Sequence, residues 1–187
     1  GYIKKDFALS DTAAQLIPSM AFLWFALVSI PTGLLQDRQG KRRTVLLSIL
    51  LTSAGLVLPF LHYSYAAVVI GFMIIGIGNT MLQVSANPLL LDVSSPGKEA
   101  ANLSLSQLIK AVASMLGPIF ISVLSSLWGD WKLIFPIYAL LSLGSALWLW
   151  ATPIPESRPD KRPASLPGTL QLLGNPFLAR MILATAL

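Results

Sequence analysis

The stretch Gly33-Leu-Leu-Gln-Asp37-Arg38-Gln-Gly40-Lys41-Arg42-Arg43 separates two long apolar runs, Thr12 to Leu35 and Thr44 to Leu61. About 20 mostly apolar residues suffice to cross a bilayer as a helix. Four cations and one carboxylate do not sit in hydrocarbon, so the stretch reads as a short polar loop between two membrane spans. Glycines allow a tight turn and close helix approach. Asp37 can accept hydrogen bonds from a helix N-terminus or pair with a cation. A purely basic anchor would account for the cations, but it requires neither the ordered glycines nor the carboxylate.

Three more spans follow: Tyr65 to Leu91, Asn102 to Trp128 and Leu133 to Thr152. A further apolar run begins near Pro176 and reaches Leu187. Short connections make neighbouring helices antiparallel. Residues 153–173 differ, being rich in proline and charge, and read as a solvated linker between two halves. The expected class is therefore an all-α membrane bundle. The chain opens at Gly1 without an initiator methionine and stops inside an apolar run, so it reads as a fragment of a longer protein.

Composition agrees. Of 187 residues, 55% are hydrophobic and only 11% charged. A soluble domain carries about a quarter charged residues. The net charge of +5 does not indicate nucleic acid, because the cations lie between apolar spans and form no basic face. With no cysteine and one histidine, His62, thiolate chemistry and Cys- or His-rich metal sites are excluded, and no cofactor or metal is expected.

Lys and Arg set the orientation. Arg38, Lys41, Arg42, Arg43, Lys98, Arg158, Lys161 and Arg162 fall on one side, and Lys4, Lys5 and Lys132 on the other. The first side is expected to be cytoplasmic. Residues 1–11, the His62 loop and the loop of Trp128 and Trp131 then face outward, with both tryptophans as interfacial anchors. The expected location is a bacterial inner membrane, crossed several times.

Polar groups inside the spans are the candidate site. Asn79, Gln83 and Asn87 recur at i, i+4 and i+8 and share a face. Amides in hydrocarbon are costly unless paired, so they face the bundle interior or a watery cavity, or bond helix to helix. Gln107, Lys110, Ser114 and Gly117 share a face of the next span. An ionisable residue such as Lys110 inside a span is a functional candidate. Gly71, Gly76 and Gly78 suit close helix packing. Pro18, Pro31, Pro88 and Pro118 read as kinks, with Pro88 helping to end its helix. Phe22, Trp24, Phe25 and Tyr138 suit lipid-facing packing, with stacking on a sugar ring as the alternative.

The Gly33–Arg43 stretch resembles the signature between the second and third helices of the major facilitator superfamily. Gly33, Asp37, Arg38, Gly40, Lys41 and Arg42 match it. The resemblance implies a gating latch in which Asp37 meets a helix end of the other half. It also implies that residues 1–152 are helices two to six of the N-terminal half, that 153–173 is the central cytoplasmic linker, and that 174–187 begins helix seven.

A finer similarity lies in Gln83-Val-Ser-Ala-Asn87-Pro88 followed by Asn102-Leu-Ser-Leu-Ser-Gln107. Asn87, Pro88, Asn102, Leu103 and Gln107 match the fucose permease branch of sugar transporters. Gln83 departs from a glutamate used there in proton coupling, and an amide cannot titrate. Lys110 departs from an asparagine that helps bind sugar. The resemblance implies import of a small polar solute, a sugar first, by alternating access with a proton or sodium ion. Asn79, Gln83, Asn87, Gln107 and Lys110 would line the cavity. All eight acidic residues lie in loops or at span ends, so a coupling carboxylate would lie elsewhere, and Lys110 would pair with it or with an anionic substrate. Rival readings are a drug or metabolite exporter of the same superfamily and a non-transporting sensor or structural protein. A membrane enzyme would need clustered catalytic carboxylates or a metal set, and neither is present.

Overall fold

The computed structural model describes residues 2–154. The elements are α1 (Tyr2–Asp6), α2 (Asp11–Gln39), α3 (Lys41–Leu61), α4 (Tyr65–Val93), α5 (Glu99–Trp128), a 3-10 turn (Trp131–Leu133) and α6 (Ile134–Ala151). The five expected spans are α2 to α5 and the run from Trp131 to Ala151, each long and apolar enough to cross a membrane. Most of the linker and the start of the last run, residues 155–187, lie outside the described residues.

Local chemistry sets the helix starts. Ser10 and Ser64 cap α2 and α4, accepting from Ala13 N and Ala67 N, both at 3.2 Å. α5 ends at Gly129, whose φ of 70° is left-handed. Three expectations are corrected. The Gly33–Arg43 stretch is not a loop, because α2 runs through Asp37 to Gln39 and α3 begins at Lys41. α2 has 29 residues, roughly 43 Å at 1.5 Å per residue, so its last turns project past a hydrocarbon core of about 30 Å and can carry charge while helical. Residues 2–6, read as loop, form α1. Pro88 does not end α4, which continues to Val93.

The α3–α4 pair is the centre of the bundle, with α2 on α4 and α6 on α3. Glycines bring α3 and α4 together: a Cβ on Gly55 would lie 2.7 Å from Gly71 O, and one on Gly71 would lie 2.7 Å from Gly55 O. Gly78 is packed as closely against Ser48 and Thr52. Lipid offers no hydrophobic drive between helices, so such backbone approach and its dispersion contacts hold the pair. Ser48 and Thr80, both fully buried, donate to main-chain carbonyls of their own helices and leave no orphaned hydroxyl. α5 stands apart, with Leu124 its one buried residue among those described. Its Leu108, Ile109, Val112 and Met115 are exposed, as apolar faces in a bilayer can be.

Candidate functional site

Two groups of the expected residues can be located. The first is at the end of the bundle where α2 meets α3. Gly40 alone forms the turn, with φ 95° and ψ 153°, a conformation open essentially to glycine. Its N–H donates to Gln36 O at 2.9 Å, closing α2, and its carbonyl accepts from Thr44 N at 3.2 Å, opening α3. The cations that follow tie helix ends together. Lys41 Nζ donates to Asp92 Oδ2 at 2.7 Å, near the end of α4, and both side chains are mostly buried. Arg42 donates to Leu149 O at 3.0 Å and to Trp150 O at 2.7 Å, carbonyls of the last turn of α6. Those carbonyls lack intrahelical donors and carry the negative end of the helix dipole, so a guanidinium is well matched to them.

Asp37 and Arg38 differ. Asp37 is half-buried, Arg38 is exposed, and neither makes a side-chain hydrogen bond or ion pair among the described residues. Gly33 has open space where a Cβ would stand, so the close helix approach expected of it is not made among these helices.

The second group lies deeper. Lys110 Nζ on α5 donates to Gln83 Oε1 on α4 at 2.8 Å. Sequence reasoning sets each on a polar face but does not pair them. Ser114 lies one turn on and donates to Lys110 O at 2.9 Å. Lys110, Ala113, Ser114, Leu116, Phe120 and Tyr138 line a cleft of 410 Å³ between α5 and α6. Tyr138 is thus turned to this cleft, whereas Phe22 is highly exposed. Asn79 and Gln107 are exposed and Asn87 half-buried, and none of the three makes a side-chain hydrogen bond among the described residues. Asn102 instead donates to Ser94 Oγ at 2.9 Å, bracing the α4–α5 connection.

The opposite end holds a cluster that sequence reasoning missed. Asp6 Oδ2 accepts from Tyr63 OH at 2.9 Å and from Trp131 Nε1 at 3.2 Å. Tyr2 stacks on Trp131, Phe7 on Tyr63, and Lys132 sits over the Tyr63 ring at 4.3 Å. Burial first, then the Asp6 carboxylate, push the Tyr63 hydroxyl above its ordinary range. Trp131 is therefore not a membrane-interface anchor: it is buried and hydrogen-bonded, while Trp128 stays exposed. The cluster ties α1 to the α3–α4 and α5–α6 connections. Together with the Lys41 and Arg42 contacts, it shows the connections alternating between two ends, as a multi-pass bundle requires.

The family model described as Major Facilitator Superfamily matches residues 1–187. A glucose/galactose transporter of Brucella abortus is 29% identical over 126 residues, covering 66% of this chain and 31% of its own length. Human solute carrier family 2, facilitated glucose transporter member 12, is 22% identical over 151 residues, covering 81% of this chain and 24% of its own. The chain thus spans less than a third of these curated relatives. A crystal structure of the E. coli fucose:proton symporter FucP superposes with a TM-score of 0.72 at 19% identity, covering 88% of this chain and 48% of that one. That likeness shows a shared fold.

Proposed function

The chain belongs to the Major Facilitator Superfamily, and we propose that the protein imports a sugar by alternating access, coupled to a cation. It is an integral, multi-pass membrane protein of a transporter family. The observation that carries the reading is the Lys110–Gln83 contact, which joins polar faces of two membrane helices beside a cleft. Polar groups at such depth are costly and mark solute pathways. The names of the relatives supply the solute class: glucose and galactose in Brucella, glucose in human, fucose in E. coli.

In this reading Asn79, Gln83, Asn87, Gln107 and Lys110 face the solute. The Gly40 end is cytoplasmic because it gathers the cations, and a bacterial inner membrane is its place. Gly33, Asp37, Arg38, Gly40, Lys41 and Arg42 form the cytoplasmic latch with the work divided. Gly40, Lys41 and Arg42 hold this half rigid, whereas Asp37 and Arg38 are left to meet the other half. The coupling ion is a proton or sodium. Among the described residues no carboxylate stands at the depth of Gln83, so the coupling acid belongs to other helices.

The test is radiolabelled hexose uptake by the full-length protein in proteoliposomes, with and without an inward proton gradient. Gradient-stimulated uptake supports a proton symporter. Uptake that follows sodium alone assigns the other ion. Absence of any sugar uptake by folded protein rejects the reading and puts the exporter first.

A further inference from the structure

We propose that the solute is an anionic sugar, one whose carboxylate is received by Lys110; this rests on the transport reading above. An ammonium can only donate, so the 2.8 Å contact fixes Gln83 with its carbonyl oxygen toward Lys110 and its NH2 turned away. The donors then remaining are two N–H on Lys110 and two on Gln83. The pair is a donor-rich, positively charged patch; sugar hydroxyls can accept from it, but only a carboxylate both accepts and balances its charge.

Charge balance points the same way. Lys110 lies about three turns into α5, so its charge is held well inside the membrane when the bundle is in place. Lys110 is exposed among the described helices, so it has room for a ligand. Inside a membrane an amide is a weak counterpart for an ammonium, which is retained where a full negative charge meets it. Among the described residues, no carboxylate is available to do so. Asp92 is engaged with Lys41, Glu99 is in the first turn of α5, and Asp6, Asp11, Asp37 and Asp130 are at helix ends or in connections.

The cleft supplies the remaining chemistry. Phe120 and Tyr138 line the cleft with aromatic rings, a suitable partner for the C–H side of a pyranose, and 410 Å³ is room for one sugar ring. Ser114 donates its proton to Lys110 O, so its oxygen is an acceptor for a sugar hydroxyl. A charged end beside Lys110 and a ring against the aromatics is the arrangement of a sugar acid.

The experiment is counterflow of radiolabelled glucuronate and, separately, glucose by the full-length protein in proteoliposomes. It is repeated with Lys110→Gln and Lys110→Arg, each checked for a monodisperse profile. The expected result is saturable glucuronate counterflow. Its half-saturation concentration should rise about 10- to 100-fold in Lys110→Gln, the range for losing a charged hydrogen bond, and only a few-fold in Lys110→Arg. Glucose flux without glucuronate flux would overturn the anionic substrate and leave the sugar-transport reading standing. No flux of either sugar by folded protein would overturn both. Glucuronate flux equal in Lys110→Gln and wild type would show that Lys110 serves a carboxylate of the protein or none, and would end its assignment here.

Discussion

Lys41 and Asp92 are joined at 2.7 Å, tying the start of α3 to the end of α4 across the mouth of the bundle. Both side chains are mostly withdrawn from solvent, so the pair differs from an ordinary surface ion pair, whose worth is about 0–1 kcal/mol. Removing one partner leaves the other charge buried and alone. Asp92→Asn should therefore destabilise the bundle by about 2–3 kcal/mol, below the cost for a fully buried pair. Thermal unfolding in detergent checks this. The swapped pair Lys41→Asp with Asp92→Lys should recover more than half of the loss, whereas a loss no greater than that of an exposed charge would deny the pair its bracing role.

Three glycines, two in the signature and Gly55 in the α3–α4 seam, are predicted to separate by mechanism. Gly40→Ala forces an L-residue to φ 95°, ψ 153°, at a cost of about 1–3 kcal/mol, and should lower the melting temperature. Gly33→Ala meets nothing within 4 Å and should melt within about 0.5 kcal/mol of wild type while slowing transport, because any close approach there is to the other half. Gly55→Ala should be the most destabilising of the three. Its new methyl would lie 2.7 Å from both Gly71 O and Ile75 Cγ1, so α3 and α4 must part. A ranking by melting temperature decides the matter.

At the other end, stability should depend on alkaline pH through Tyr63. Burial and Asp6 hold its proton more tightly in the folded protein than in an unfolded chain. The contribution is therefore complete below the ordinary tyrosine value of about 10 and is lost as pH rises through the higher folded-state value. Tyr63→Phe should make the loss of stability above about pH 10 less steep. Phenolate absorbance tracked alongside thermal unfolding would reveal it. An equal slope in both proteins would mean that other groups govern the alkaline limb.

The spans are legible in the sequence because long charge-free apolar runs admit one low-energy solution in a bilayer, a helix with its backbone bonds closed within itself. The signature reads as a loop because polarity there mimics irregularity. Asp37, Arg38 and Gln39 lie on a helix long enough to leave the hydrocarbon, and only Gly40 departs from helical geometry. Periodicity sets Gln83 and Lys110 on polar faces of their helices. It does not give the rotation of α5 about its axis or its height against α4, and these bring Nζ to Oε1. The Asp6 cluster is hidden for a related reason. Asp6, Tyr63 and Trp131 are far apart in the chain, and nothing local distinguishes an indole that meets a carboxylate from one that meets lipid headgroups.

Alternating access requires the cleft beside Lys110 to open in turn to both sides of the membrane. The chain has no cysteine, and Ser114, which lines that cleft, differs from cysteine by one atom. The direct measurement is alkylation of Ser114→Cys in the full-length protein, with any other cysteines removed, by a membrane-impermeant maleimide. It is applied to right-side-out and to inside-out vesicles, with and without transported sugar. Alternating access predicts labelling from both sides, with sugar slowing it. Labelling from one side only, whatever the sugar, or from neither, would contradict the account.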